Sequence, residues 1–144
     1  MADVFDIAKY ILHEKGSMST WKLQKLCYYS QAWSLAWTED PLFDEDFEAW
    51  MNGPVCRKLF YAHQGKFIVN EDDLTQGNLD NLNDDQKETI NIVLRDYGDM
   101  EPFELRELSH SEKPWIDARD GLPEGATCSN VIPKNAMGSF YGSL

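Results

Sequence analysis

The chain has 144 residues, 42% of them apolar and 12% aromatic, with 13 basic against 25 acidic side chains and a formal net charge of −12. That length and apolar content suffice for one domain with a buried core, which excludes a disordered chain. A surface this acidic repels a phosphate backbone, so direct nucleic-acid binding is not expected and basic protein partners are favoured.

The three cysteines, Cys27, Cys56 and Cys128, are odd in number and form no CxxC pair, which argues against a disulfide framework. Asp3 and Asp6 stand where a signal peptide needs basic residues, and no apolar run approaches a membrane span. A cytoplasmic protein without membrane association is expected.

In chain order, Val4, Ile7, Ala8, Ile11 and Leu12 form one helical stripe, ended by Gly16. Ser19 is an N-cap for a second helix over residues 20–37, apolar on nearly every side and so predicted to be the buried central helix. Its Lys22 and Lys25 are expected to bring that end to solvent. Residues 39–46 read as an acidic loop. Phe47, Ala49 and Met51 alternate with Glu48 and Trp50, which predicts a short strand.

Asn52-Gly53-Pro54 is a turn, with Pro54 expected at the first position of a helix running to His63. Residues 67–69 are expected to be the partner of the 47–51 strand. Residues 70–82 read as loop. Asn83 and Gln86 form a capping box for a helix that ends at Gly98. Pro102, Pro114 and Pro133 open three further helices. The fold class expected is mainly α: a compact single-domain helical bundle around a buried central helix, with a small two-stranded β element.

No residue pattern spells catalysis. His13, His63 and His110 stand apart, without HExxH or paired Cys, so no metal or cofactor is expected. There is no GxSxG, GxxxxGK[ST] or GxGxxG. Cys56 beside Arg57 has the setting for a lowered thiol pKa, but a buried structural thiol is the reading preferred. The acid falls in two stretches, 39–48 with six carboxylates and 71–88 with seven. These read as a solvated face or as a docking patch for a basic protein.

Two segments exceed what stability requires. One is the Trp50–Arg57 corner. The other is LSHSEKPWIDAR, residues 108–119, in which Trp115 and Arg119 share a helix face as a cation–π pair. Trp115 either plugs the core, with Arg119 paired to a carboxylate, or helps to anchor a partner, since Trp, Tyr and Arg dominate binding hot spots.

Four motifs in order, AKYIL (8–12), KLQKLCYYSQAW (22–33), EAWMNGPV (48–55) and LSHSEKPWIDAR (108–119), resemble the Panacea antitoxin domain family, with its phage-associated GepA-like and SocA-like relatives. The resemblance implies a domain spanning residues 1–144, with a core at about 4–120 and a C-terminal extension at 121–144. It implies no catalysis. It implies an antitoxin of a toxin–antitoxin system, phage- or mobile-element-associated, which neutralises a cognate protein toxin by direct binding or delivers it to a protease as an adaptor.

The partner-binding residues expected are Trp50, Asn52, Arg57, His110, Trp115 and Arg119. The alternative is an acidic phage protein that inhibits a nucleic-acid enzyme as a nucleic-acid mimic, through binding that falls steeply with salt. A small enzyme with its site at Cys56 or His110 is the third reading.

Overall fold

The computed structural model describes residues 2–144, with no helix long and apolar enough to cross a membrane. Helix α1, Val4–Lys15, starts at a capping box between Asp3 and Asp6, and its predicted stripe is buried. Helix α2, Thr20–Thr38, begins where the Ser19 hydroxyl accepts from the Lys22 N–H. It runs through the middle of the molecule, as its all-round apolar sequence predicted. It packs against α1, α4 (Asp84–Tyr97), α5 (Pro102–His110) and, most extensively, α7 (Lys134–Gly142).

The buried polar groups of α2 act as clamps. The Gln31 carboxamide accepts from Leu42 N at 2.7 Å and donates to Phe43 O at 2.8 Å. One heptad earlier, the Gln24 carboxamide accepts from Cys56 N at 2.8 Å and donates to Cys56 O at 3.2 Å. Each glutamine thus pairs with a loop backbone as a strand would, satisfying polar groups that burial would otherwise strand.

The β structure is small, as expected, but paired differently. Strands β2 (Phe47–Trp50), β3 (Gly53–Val55) and β5 (Val131–Ile132) form an antiparallel sheet in the order β3-β2-β5. A separate pair joins β1 (Met18–Ser19) to β4 (Ile68–Val69). The expected pairing of 47–51 with 67–69 is therefore corrected. The Asn-Gly corner turns the chain straight back, so Trp50 faces Gly53 and Glu48 faces Val55. The other edge of β2 goes to β5 through Phe47 and Ile132.

Pro54 is likewise corrected. It lies in edge strand β3, where its missing N–H costs no ladder bond. Helix α3, Arg57–His63, begins only after Cys56, whose backbone groups Gln24 holds. Residues 70–82 hold two 3-10 turns, Glu71–Asp73 and Leu79–Asn81, the second pinned by the Asp6 carboxylate, which accepts from Asn78 N at 2.8 Å.

Residues 121–144, expected as an extension, are built into the core. Ile132, Met137 and Tyr141 are each about 1% exposed. The Tyr141 hydroxyl donates to Glu112 at 2.8 Å, and Tyr29 donates to the same carboxylate oxygen at 2.6 Å. Burial pushes the Glu112 carboxyl upward, against the two hydroxyl hydrogen bonds that favour its charged form. Helix α6, Lys113–Ala118, starts at this residue, so one carboxylate joins α2, α6 and α7.

Candidate functional site

The β2–β3 corner carries an exposed knot of side chains. Arg57 pairs with Glu48 through Nη2 at 2.8 Å and Nε at 3.1 Å, and lies 5.3 Å over the Trp50 ring. Trp50 donates to Glu48 at 2.9 Å and meets Phe60 edge-on at 5.0 Å. Burial resists ionisation of Glu48, but the bonds from Arg57 and Trp50 outweigh it and hold its carboxyl below the usual range. Trp50 thus faces away from buried Phe47 and Ala49, as the alternation predicted.

Arg57 is engaged with Glu48 rather than with Cys56. The Cys56 thiol is 1% exposed and is pushed up to about 11, chiefly by burial, and Cys27 is pushed up well beyond its ordinary value for the same reason. Neither is placed as an activated nucleophile.

The two segments singled out in the sequence meet. From α6, Trp115 donates its indole N–H to Trp50 O at 2.9 Å. Arg119 sits 4.8 Å from the Trp115 ring and donates to Ala49 O at 2.9 Å. Its other arm donates to Pro123 O at 2.8 Å and to the carbonyls of Glu124 and Ala126. The expected carboxylate partner is replaced by backbone carbonyls. Arg119 is the knot that ties the 123–126 loop to strand β2.

His110 stacks on Trp115 at 3.9 Å, pairs through Nδ1 with Glu124 at 3.0 Å, and leaves Nε2 buried without a partner. Burial lowers the His110 pKa, against the pull of Glu124. Of the six expected partner-binding residues, Trp115 and Arg119 are therefore interior and the His110 side chain is nearly so, while Trp50, Asn52 and Arg57 reach the surface.

Those three line a cleft of about 340 Å³ together with Trp21, Met51, Thr127, Cys128 and Ser129. Beyond Trp21 and Asn52 lies a second hollow of about 230 Å³, walled by Lys25, Pro102, Phe103 and Arg106. Met51 and Phe103 are exposed beside them, and Thr20 N donates to Phe67 O at 3.0 Å, which ties the backbone of the exposed Phe67 to the first residue of α2. An aromatic, basic surface thus collects where α2 starts.

This end of α2 reaches solvent in part, through half-buried Trp21 and Lys22, but Lys25 does not share that exposure. It is 1% exposed, and its ammonium makes a single bond, 3.5 Å, to Pro54 O. Trp21, Lys25, Phe103 and Arg106 were not among the expected site residues. Lys25 is one of two cations, with Lys22, in an otherwise largely apolar helix start, and nothing in the sequence separates the buried one from the other.

The two acidic stretches meet at the opposite end of α2. Asp40, from one acidic stretch, and Asp85, from the other, line a common cleft of about 300 Å³ with Ser34, Thr38 and Asn83. Not all of the acid is free for solvation or docking. Glu45 accepts from Val4 N at 3.2 Å, and Asp46 pairs with Lys134 at 2.7 Å.

Comparison with curated proteins and with solved structures returns no match. A family model does match, over residues 23–116, and its description is antitoxin SocA-like, Panacea domain. That span holds most of α2, the β2–β3 corner, α3 to α5 and Trp115; of the cleft lining it includes Trp50, Met51, Asn52 and Arg57 but not Trp21 or residues 127–129. The chain belongs to the SocA-like antitoxin family with a Panacea domain.

Proposed function

We propose that this protein is the antitoxin of a toxin–antitoxin pair and neutralises a cognate toxin protein by direct, stoichiometric binding rather than by catalysis. The family match carries the reading. The surface supports it: the cleft between the β2–β3 corner and the start of α2 collects Trp21, Trp50, Met51 and Arg57, the residue types of a protein interface core. The raised thiols of Cys27 and Cys56 fit a binding protein better than a thiol enzyme.

Co-expression tests this. The reading frames flanking the gene are induced one at a time, with and without this protein. One of them is expected to arrest growth, to be rescued, and to co-purify with this protein. The toxin's level during rescue separates sequestration, which preserves it, from delivery to a protease, which depletes it. The reading is overturned if no neighbouring product is toxic or if rescue occurs without complex formation.

A further inference from the structure

We propose that the hollow between the start of α2, the β2–β3 turn and the start of α5 is a receptor for one carboxylate of the partner, an acidic side chain flanked by apolar residues, held between the Lys25 ammonium and the Arg106 guanidinium. This deepens the binding function proposed above and rests on it.

The geometry leaves Lys25 unsatisfied. A buried ammonium has three donors to place, and this one has a single bond at the limit of hydrogen-bond distance. No carboxylate among the described residues lies within ion-pair distance of it. The charge it feels most is Arg106, of like sign. Buried charges are ordinarily paired, and leaving one unpaired is costly. A chain with 25 carboxylates has placed none there.

Arg106 is oriented by Asn52 and paired on one side with Glu107, at a site where both side chains stay partly exposed. Its Nε donates to Asn52 at 3.3 Å and its Nη1 to Glu107 at 2.9 Å. Nη2 makes no hydrogen bond within the described residues, so each cation keeps at least two N–H donors for a ligand.

The backbone adds to the same field. The N-terminal end of α2 carries the positive end of a 19-residue helix, yet Lys22 and Lys25 stand in its first two turns and no acidic residue does. Sequence at a helix start ordinarily runs the other way. Helix dipole, Lys25 and Arg106 all favour an anion at one place. Burial and Arg106 together bring the Lys25 amine down to about 7, so a bound carboxylate would also restore a proton that the empty pocket holds weakly.

The walls decide which anion. Trp21, Pro102 and Phe103 are apolar, and Phe103 is 68% exposed, so a carboxylate entering here is flanked by surface that takes apolar neighbours. A net charge of −12 opposes a phosphate dianion more than it opposes a single carboxylate. The hollow, at about 230 Å³, has room for one side chain and its immediate flanks.

The test uses the intact protein and an amidated peptide, Ac-Ala-Leu-Glu-Leu-Ala-NH2, against its Gln counterpart and against inorganic phosphate. The Lys25 ε-carbon and Trp21 indole signals are followed by NMR; the ammonium lies 5.3 Å from that ring. The Glu peptide is expected to shift both saturably and to raise the Lys25 titration midpoint by about one pH unit or more. Lys25→Met is expected to weaken binding at least tenfold, and Arg106→Gln to weaken it severalfold.

The proposal is overturned if the Gln peptide or phosphate binds as well, if nothing saturates, or if Lys25→Met binds unchanged. Thermal melts of each variant show that it is folded. In the co-expression assay, wild-type rescue with an equally effective Lys25→Met variant would sink the pocket assignment and leave the antitoxin reading standing. If no toxin is found, the peptide arm still decides the pocket by itself.

Discussion

At the scale of single residues, the buried charges make the clearest predictions. The Lys25 amine ionises at about 7 in the folded chain and near 10.5 when unfolded. Between those values the unfolded chain holds a proton that the folded chain releases, so stability rises with pH from about 7 to 10.5 and the full penalty applies below. Lys25→Met, which fills the same space without charge, is therefore expected to raise Tm at neutral pH and to flatten that dependence. A lower Tm would mean that the bond to Pro54 outweighs desolvation. Glu112 is the opposite case, an acid whose raised pKa makes stability fall as pH rises above the ordinary carboxylate range. Glu112→Gln keeps an oxygen for both tyrosine hydroxyls and is expected to be nearly neutral. Glu112→Ala strands the Tyr29 hydroxyl and leaves Tyr141 only its bond to Tyr28, and is expected to cost about 1–3 kcal/mol in denaturant melts.

At the scale of elements, the motif residues fasten one element to another. Gln24→Ala would leave the Cys56 N–H buried without a partner and its carbonyl with the Phe60 N–H alone, at a cost of about 1–3 kcal/mol. Gln24→Glu would retain only the acceptor and is expected to be intermediate. Gly53 stands at φ 120, and a Cβ there would lie 2.4 Å from the Lys25 Cε. Gly53→Ala is expected to lose at least about 1–3 kcal/mol from backbone strain alone and to displace Lys25. Chemical denaturation measures the first effect and the Lys25 NMR signal the second. Arg119→Met keeps the apolar contact with Trp115 but releases the 123–126 loop. Limited proteolysis is expected to cut that loop several times faster while the remainder stays protected.

At the scale of the whole molecule, the helix that completes the core comes last in the chain and lies outside the residues that the family model matches. Removing 121–144 uncovers the side of α2 under α7 and withdraws Ile132, Met137 and Tyr141 from the interior. Three side chains at about 1.5–3 kcal/mol each would consume most of an ordinary domain's stability. A chain ending at residue 120 is therefore expected to bind hydrophobic dye and to lose its cooperative melt. A sharp transition in calorimetry would show that 121–144 is dispensable. Asp40 and Asp85 meet at the end of α2, while Glu48 and Glu107 pair with Arg57 and Arg106 near its aromatic start.

Elements were legible where the information is local. The caps at Ser19 and Asn83, the stripe of α1, the proline helix starts at Pro102 and Pro114 and the all-round apolar α2 follow from spacing and side-chain chemistry within a few residues. So did the Trp115–Arg119 pair, since residues four apart on a helix are neighbours. Strand pairing was not legible, because β2 finds one partner across a two-residue turn and the other more than 80 residues away, and two-residue strands carry no period to read. Nor was the place of Lys25. Its sequence context promised solvent, and only the closing of the β2–β3 turn and α5 over the start of α2 buried it. Local spacing determined the helices and their ends; long-range closure decided which side chains became framework, which stayed exposed and where a charge was left without a partner.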